Sequence, residues 1–251
     1  MLVFITMIAL GLLVGFIGAG GAGFVIAILT TVFGVPVHTA FGTSLSAMVF
    51  TSISGTYSHY RENNLVLRVG LATGLFGAIG AFVGSWIADL ILGSTLKWFT
   101  AGMMIFSAVL LWFRLFTRFG QLGANTGAQE MPSGFRFWIA ACGVGFVTGG
   151  LSGLLGIGAS PFIQIGLLIF FGLSVQQAAG TTMLVILPVA FVGGIGYYTA
   201  GNWDILLFIQ VAAGMIIGSY VGAKFTSRLH PMVLKITLIA VPIVAAIVLI
   251  I

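Results

Sequence analysis

The chain has 251 residues, of which 60% are hydrophobic and only 5% charged, with a formal net charge of +5. A soluble domain of this length needs many more charges to coat its surface, so a soluble fold is excluded. The few basic residues sit in short connections, which is how membrane topology signals are written, and they do not point to nucleic acid.

Eight apolar segments fill almost the whole sequence: residues 1–34, 35–57, 66–92, 96–116, 135–172, 173–199, 205–226 and 232–251. Each approaches or exceeds the roughly 20 residues that carry a helix across a bilayer. The predicted fold is therefore an all-α polytopic membrane protein. The first segment is apolar from its first residue, without a basic leader, and reads as part of the fold and not as a cleaved signal. It is too long for one straight span and is interrupted by glycine at Gly18, Gly20, Gly21 and Gly23. Glycine permits a tight reversal without steric cost, so a half-helix is expected to begin near Ala22. The second segment opens at Pro36, with His38 near its start and Thr43-Ser44 roughly 10 Å deeper at helical rise. After the fourth segment comes the one long polar stretch, residues 117–134, which reads as a flexible linker.

The fifth segment repeats the pattern of the first. It is over thirty residues long and is broken at Gly156 and Gly158. A second half-helix is expected near Ser160, with Ser160 as N-cap and Pro161 in the first turn, where its missing N–H costs nothing. Cys142, the single cysteine, reads as a small packing residue and excludes an internal disulfide or a cysteine metal cluster. The sixth segment carries Gln176 and Thr181-Thr182 where the second carries His38 and Thr43-Ser44.

Sliding the sequence on itself by 138 positions makes this repetition explicit. Gly15, Gly18 and Gly20 fall on Gly153, Gly156 and Gly158; Phe33-Gly34 falls on Phe171-Gly172; Gly42-Thr43 falls on Gly180-Thr181. Tyr60 and Asn64 meet Tyr198 and Asn202, and Gly80 and Gly84 meet Gly218 and Gly222, with no gap. The expected organisation is a first membrane repeat (1–116), the linker (117–134) and a second repeat (135–251).

Charge orients the halves. If all eight segments crossed, five basic residues would lie on one side and four on the other. If the first segment of each half is a re-entrant hairpin, eight lie on one side and only Lys97 on the other, as the positive-inside rule requires. The halves are then inverted, with three spans each, basic loops in the cytoplasm and both termini outside. Inverted repeats with broken helices meeting at mid-membrane are a recurrent transporter architecture.

The run Gly18-Ala19-Gly20-Gly21, the Gly34-Val35-Pro36 step and Gly42-Thr43-Ser44, echoed by Gly156-Ile157-Gly158 and Gly180-Thr181-Thr182, resemble the TauE/SafE sulfite exporter family, also called the toluene sulfonate uptake permease family. The resemblance covers essentially the whole chain. It implies a multi-pass protein of the cell (inner) membrane that transports sulfite, sulfoacetate or a related organosulfonate. The second half departs from a strict repeat: Gly21, Ala22 and Gly23 are matched by Ala159, Ser160 and Pro161, so the two half-sites differ chemically.

An oxyanion held at mid-membrane needs donors and positive potential, which helix N-termini supply. Hydroxyls add donors without fixed charge. The expected substrate site is Gly20, Gly21, Thr43, Ser44, Gly158, Ser160, Thr181 and Thr182, with His38, Gln164 and Gln176 as pathway candidates. Small and hydroxylated residues also serve simply to pack membrane helices. Glu62, Asp89, Glu130 and Asp204 lie at segment ends or in loops, which argues against a proton pump. No Walker-type motif is present, and no nucleophile–base pair or metal set suggests an enzyme. No cofactor or metal is expected. The partners are the anion, the bilayer and, as an open expectation, a second copy of the chain, with no nucleic acid. A negative interior favours anion exit by about 2.3 kcal/mol per charge per 100 mV, which tilts the reading toward export. An anion channel of the same fold, or an uptake permease coupled to an ion, is the alternative.

Overall fold

The structure is a computed structural model that describes residues 2–17, 22–116, 132–226 and 231–251. The predicted linker falls largely on 117–131, and the first glycine cluster on 18–21; both lie outside the described residues. Among the described residues there are ten helices and no strand: α1 Leu2–Ile17, α2 Ala22–Thr31, α3 Val37–Arg61, α4 Leu67–Asp89, α5 Gly93–Phe116, α6 Phe135–Leu155, α7 Ser160–Phe171, α8 Val175–Thr199, α9 Ile205–Thr226 and α10 Pro231–Ile250.

The two long segments are each a pair of helices, and the short members begin at Ala22 and Ser160. At the second break Gly156, Gly158 and Ala159 have φ of 67°, 71° and 45°. The glycines take this left-handed region freely; Ala159 does so against steric resistance. The chain reverses there. Phe137, at the start of α6, has its ring 5.6 Å from that of Phe171, at the end of α7. Gly166 meets the Val144 side chain midway. Helix α7 therefore folds back antiparallel on α6, and both outer ends lie at one end of the bundle. Pro161 sits in the first turn of α7, but Ser160 is not the cap. The left-handed Ala159 takes that place, so Ser160 becomes the first helical residue and makes no capping bond.

Helices α3 and α8 form an antiparallel central pair. Gly42 meets Tyr197, Gly193 meets Leu45, Gly55 meets Met183 and Gly180 meets His59. A methyl on Gly42 would strike the Tyr197 Cβ and the Asn202 carbonyl; one on Gly180 would strike the His59 Cβ and the Asn64 carbonyl. These contacts are reciprocal at the 138-residue offset. The same correspondence holds for two parallel pairs. Gly80 on α4 abuts the Phe146 carbonyl and Gly150 amide of α6; Gly218 on α9 abuts the Ile8 carbonyl and Leu12 amide of α1. On α6, Gly145, Gly149 and Gly153 lie against Thr73, Gly77 and Ala81 at four-residue steps. Small residues at this spacing let two backbones touch, as in helix pairs within membranes.

The first helix of each half thus packs on the third long helix of the other, so the two sequence halves interleave. Two buried apolar clusters result. One joins residues of α1, α2, α3, α5, α9 and α10 with Ala88 of α4 and Tyr197 of α8; the other joins α4, α6, α7 and α8.

The outside of the bundle is apolar. On α4, Leu67, Leu71, Leu75, Ile79, Phe82 and Trp86 point outward while Gly70, Gly74, Gly77, Ala81 and Gly84 face inward. Large apolar groups outside and small ones inside require an apolar surrounding. Among the described residues, α4, α6 and residues 176–199 of α8 are long and apolar enough to cross a membrane. Of the other helices, α2 and α7 are short, and α3 carries a run of Ser and Thr. Cys142, expected to pack inside, is exposed on α6.

One end of the bundle gathers basic residues. Arg61 closes α3, Arg68 opens α4, and the Arg68 guanidinium lies 4.7 Å from the ring centroid of Phe137, next to Arg136. The opposite end carries His38, Asp89 and Lys97, at the start of α3, the end of α4 and the start of α5.

Candidate functional site

The tip of the α6–α7 hairpin is the most developed polar feature in the interior. It lies against α3: Gly156 packs on Phe41, and Gly158 on the Met48 thioether. A side chain at Gly158 would push the Met48 thioether aside and strain a backbone held at φ 71°. Tyr197, fully buried near the end of α8, stands edge-on to Phe41 with ring centroids 6.2 Å apart. Its hydroxyl donates to the Gly153 carbonyl at 2.8 Å, and the Gly156 N–H donates to the Ser152 carbonyl at 2.9 Å.

These two bonds set the electrostatics of the tip. A hairpin of helices brings the negative end of the first beside the positive end of the second. Here the Gly153 and Ser152 carbonyls, in the last turn of α6, are taken by Tyr197 and Gly156. At the start of α7, Phe162 and Ile163 return their N–H groups to the Ala159 carbonyl at 3.0 and 3.1 Å, and Pro161 has none to give. The first-turn dipole of α7 is left facing the tip. Buried Ser160 lies there, and buried Ser152 lies one turn before the break.

Helix α2 reaches the same stretch of α3. Ser44 is buried, and its hydroxyl donates to the carbonyl of Ala22, the first residue of α2, at 3.2 Å. The α6–α7 tip and the start of α2 therefore both meet α3 between Phe41 and Met48, about 10 Å of helix. Gly20 and Gly21 lie outside the described residues. Thr43, next to Ser44, is fully buried and its Oγ1 has no partner among the described residues.

Thr181 and Thr182 are placed differently. Thr181 Oγ1 accepts from the Val66 N–H at 3.1 Å and so fixes the entry to α4. Thr182 donates to the Ala178 carbonyl at 2.7 Å, one turn back on its own helix. Along the central pair, Gly42 lies at Tyr197 while Gly180 lies at His59. Positions 42 and 59 on α3 are 17 residues apart, or about 25 Å. The structure brings Thr43, Ser44 and Gly158 to one region, with Ser160 two residues beyond Gly158, and puts Thr181-Thr182 nearer the basic end.

Of the pathway candidates, His38 holds Nε2 3.0 Å from the Ala88 carbonyl and 3.2 Å from that of Ile91. As the Nε2–H tautomer it donates to both and caps the end of α4. Gln176 is exposed in the first turn of α8, and Gln164 is half-buried on α7. His59 has Nδ1 3.9 Å from Glu62 Oε2 at the basic end. Glu62, Asp89 and Asp204 stand at helix ends, where Asn202 donates to Asp89 at 2.6 Å and Asp204 accepts from the Leu207 N–H at 2.9 Å. Among the described residues, no group of three His, Cys, Asp or Glu side chains stands together as metal ligands.

Sequence reasoning missed Tyr197, Ser152 and the Trp203 indole that donates to Ser46 at 3.1 Å. Tyr197 had a signal: it falls on His59 at the 138-residue offset, a polar pair at matching positions. Ser152 had none, since it falls on Val14.

The model of the family described as Sulfite exporter TauE/SafE matches residues 3–249. The "Probable membrane transporter protein YdhB" of Bacillus subtilis (strain 168) is 47% identical over 249 residues, 99% of each chain. The "Probable membrane transporter protein YunE" of the same organism is 24% identical over 95% of each chain. The "Probable membrane transporter protein MJ0441" of Methanocaldococcus jannaschii is 27% identical over 94% of this chain and 92% of its own. No solved structure matches.

Proposed function

We propose that this chain, which belongs to the Sulfite exporter TauE/SafE family, is a secondary transporter moving sulfite or an organosulfonate-type anion by alternating access around the hairpin tips. As a member of that family it is a membrane transporter that crosses the bilayer several times. The observation that carries the substrate reading is the α6–α7 tip: occupied Ser152 and Gly153 carbonyls on α6, the positive end of the α7 dipole, and buried hydroxyls in place of fixed charge. Such a site suits a small anion whose oxygens accept several hydrogen bonds.

We read the 1–116 and 135–251 halves as inverted repeats, each a re-entrant hairpin and three spans, joined by 117–134. The reciprocal contacts and the return of α7 to the start of α6 support this. With the basic end in the cytoplasm of the cell that bears it, both termini lie outside, and the membrane potential favours export.

The test of substrate is binding on purified protein with sulfite, sulfate, thiosulfate, sulfoacetate and taurine, with and without sodium. Saturable binding of at least one sulfur oxyanion is expected. Proteoliposome flux of that anion should saturate, and Thr43→Val should slow it several-fold; rates that rise linearly with concentration would indicate a channel. Orientation is tested separately. In a Cys142→Ala background, a cysteine added after Ile251 should react with an impermeant thiol reagent from outside intact cells, and reaction only after lysis would overturn the topology.

A further inference from the structure

We infer that the crook of the α6–α7 hairpin is itself an anion subsite in which the Ser152 hydroxyl is a direct donor. The inference rests on the transport reading and sharpens it, because it places the ligand within the second half instead of equally between the two.

Interior hydroxyls of this chain mostly follow one habit. Ser52, Ser85, Ser107, Thr148 and Thr182 each donate to a carbonyl three or four residues back on their own helix. In an apolar surrounding this is the default way to satisfy a hydroxyl. Ser152 departs from it. It is fully buried, and its Oγ has no partner among the described residues. Thr43, Thr56, Thr73 and Thr100 share that property, but Ser152 alone of these stands in the hairpin.

Its position follows from the hairpin register. Phe137 faces Phe171 and Val144 faces Gly166. Carried forward along both helices, that pairing sets Ser152 opposite residues 156–158, at the closing turn. Ser152 is also eight residues beyond Val144, within a quarter-turn of the face that meets α7. The start of α7 lies just past that turn, with Ser160 only 5% exposed. An unpartnered buried hydroxyl and a twelve-residue helix's N-terminus thus converge. Left empty, such a site leaves the Ser152 hydroxyl unsatisfied. An oxyanion would accept from the Ser152 hydroxyl while lying at the positive end of the α7 dipole. Two carbonyls of the last α6 turn, those of Gly153 and Ser152, are already engaged by Tyr197 and Gly156. The first half has Val14 in place of Ser152 and so lacks this donor.

The experiment measures sulfite and sulfoacetate binding to detergent-purified wild type, Ser152→Ala, Ser152→Thr and Thr100→Ala. Ser152→Ala should raise the Kd about tenfold, as loss of a hydrogen bond to a charged group does. Ser152→Thr should keep binding near the wild-type value, and Thr100→Ala should leave Kd unchanged. Ser152→Cys, close in volume and a weak donor, gives the same comparison should the alanine variant fail to fold. Wild type that binds with Ser152→Ala unaltered overturns the subsite while leaving the transport reading intact. Wild type that binds neither anion removes that reading and the subsite with it.

Discussion

Gly149→Val is expected to prevent the bundle from assembling. A methyl on Gly149 would occupy the space of the Gly77 backbone on α4, its carbonyl and Cα included. A flexible side chain could swing aside, whereas a neighbouring backbone cannot. Overpacking against movable neighbours costs about 1–3 kcal/mol. Here α4 and α6 must separate along their length, which undoes the contacts at Gly80, Gly84, Gly145 and Gly153 as well. A loss of at least about 3 kcal/mol is expected. Gly218→Val should act alike on the α1–α9 pair, where the neighbours are again backbone atoms of Ile8, Gly11 and Leu12. Gly143→Val, on the same α6 but with nothing within 4 Å, and Gly102→Val on α5, equally open, are the controls. The readouts are the monodisperse fraction after detergent extraction and the melting temperature. If Gly149→Val behaves like Gly143→Val, the parallel contact does not hold these helices together.

The breaks in this fold were legible because glycine and proline write them locally. The clusters at 18–23 and 156–158 marked where a long segment stops, and Ala22 and Ser160 do begin short helices. Pro161 marked the first turn for the same reason. What was not legible depends on rotation and register, which a helix acquires only from its partner. Ser160 looked like a cap, but the left-handed Ala159 moved the helix start by one residue. Thr181 looked equivalent to Thr43, and its oxygen also accepts from the Val66 N–H, contributed by a loop 115 residues away in sequence, a tie that Thr43 does not show. His38 looked like a pathway residue, and its ring nitrogen also lies against the Ala88 and Ile91 carbonyls at the end of α4. The interleaving of the halves was equally hidden. Matching glycines at Gly80 and Gly218 declared that the two are equivalent, but not that each packs on the other half's first helix. Sequence repetition reports equivalence, and contact follows from the geometry that equivalence then adopts.

The second large effect concerns Tyr197→Phe. The variant keeps the ring against Phe41 and removes only the hydroxyl that donates to Gly153. Two consequences follow from one missing bond. A buried carbonyl loses its donor, which costs about 1–3 kcal/mol of stability. The same carbonyl also restores negative potential at the end of α6, beside the start of α7, where the anion is proposed to bind. Stability alone would lower the melting temperature and leave affinity untouched. The electrostatic role predicts in addition a Kd and a transport KM raised about three- to tenfold, with the maximal rate changed less, as expected for loss of a charge-directed contribution near 1 kcal/mol. Tyr198→Phe is the matched control, since that ring is 63% exposed and stacks edge-on with Trp203. A Tyr197→Phe protein that melts earlier but binds as tightly as wild type would reduce Tyr197 to a structural cap. A coupled fall in both would mean that one tyrosine satisfies the backbone of the first arm of the hairpin and, by doing so, leaves the dipole of the second arm free to hold an anion.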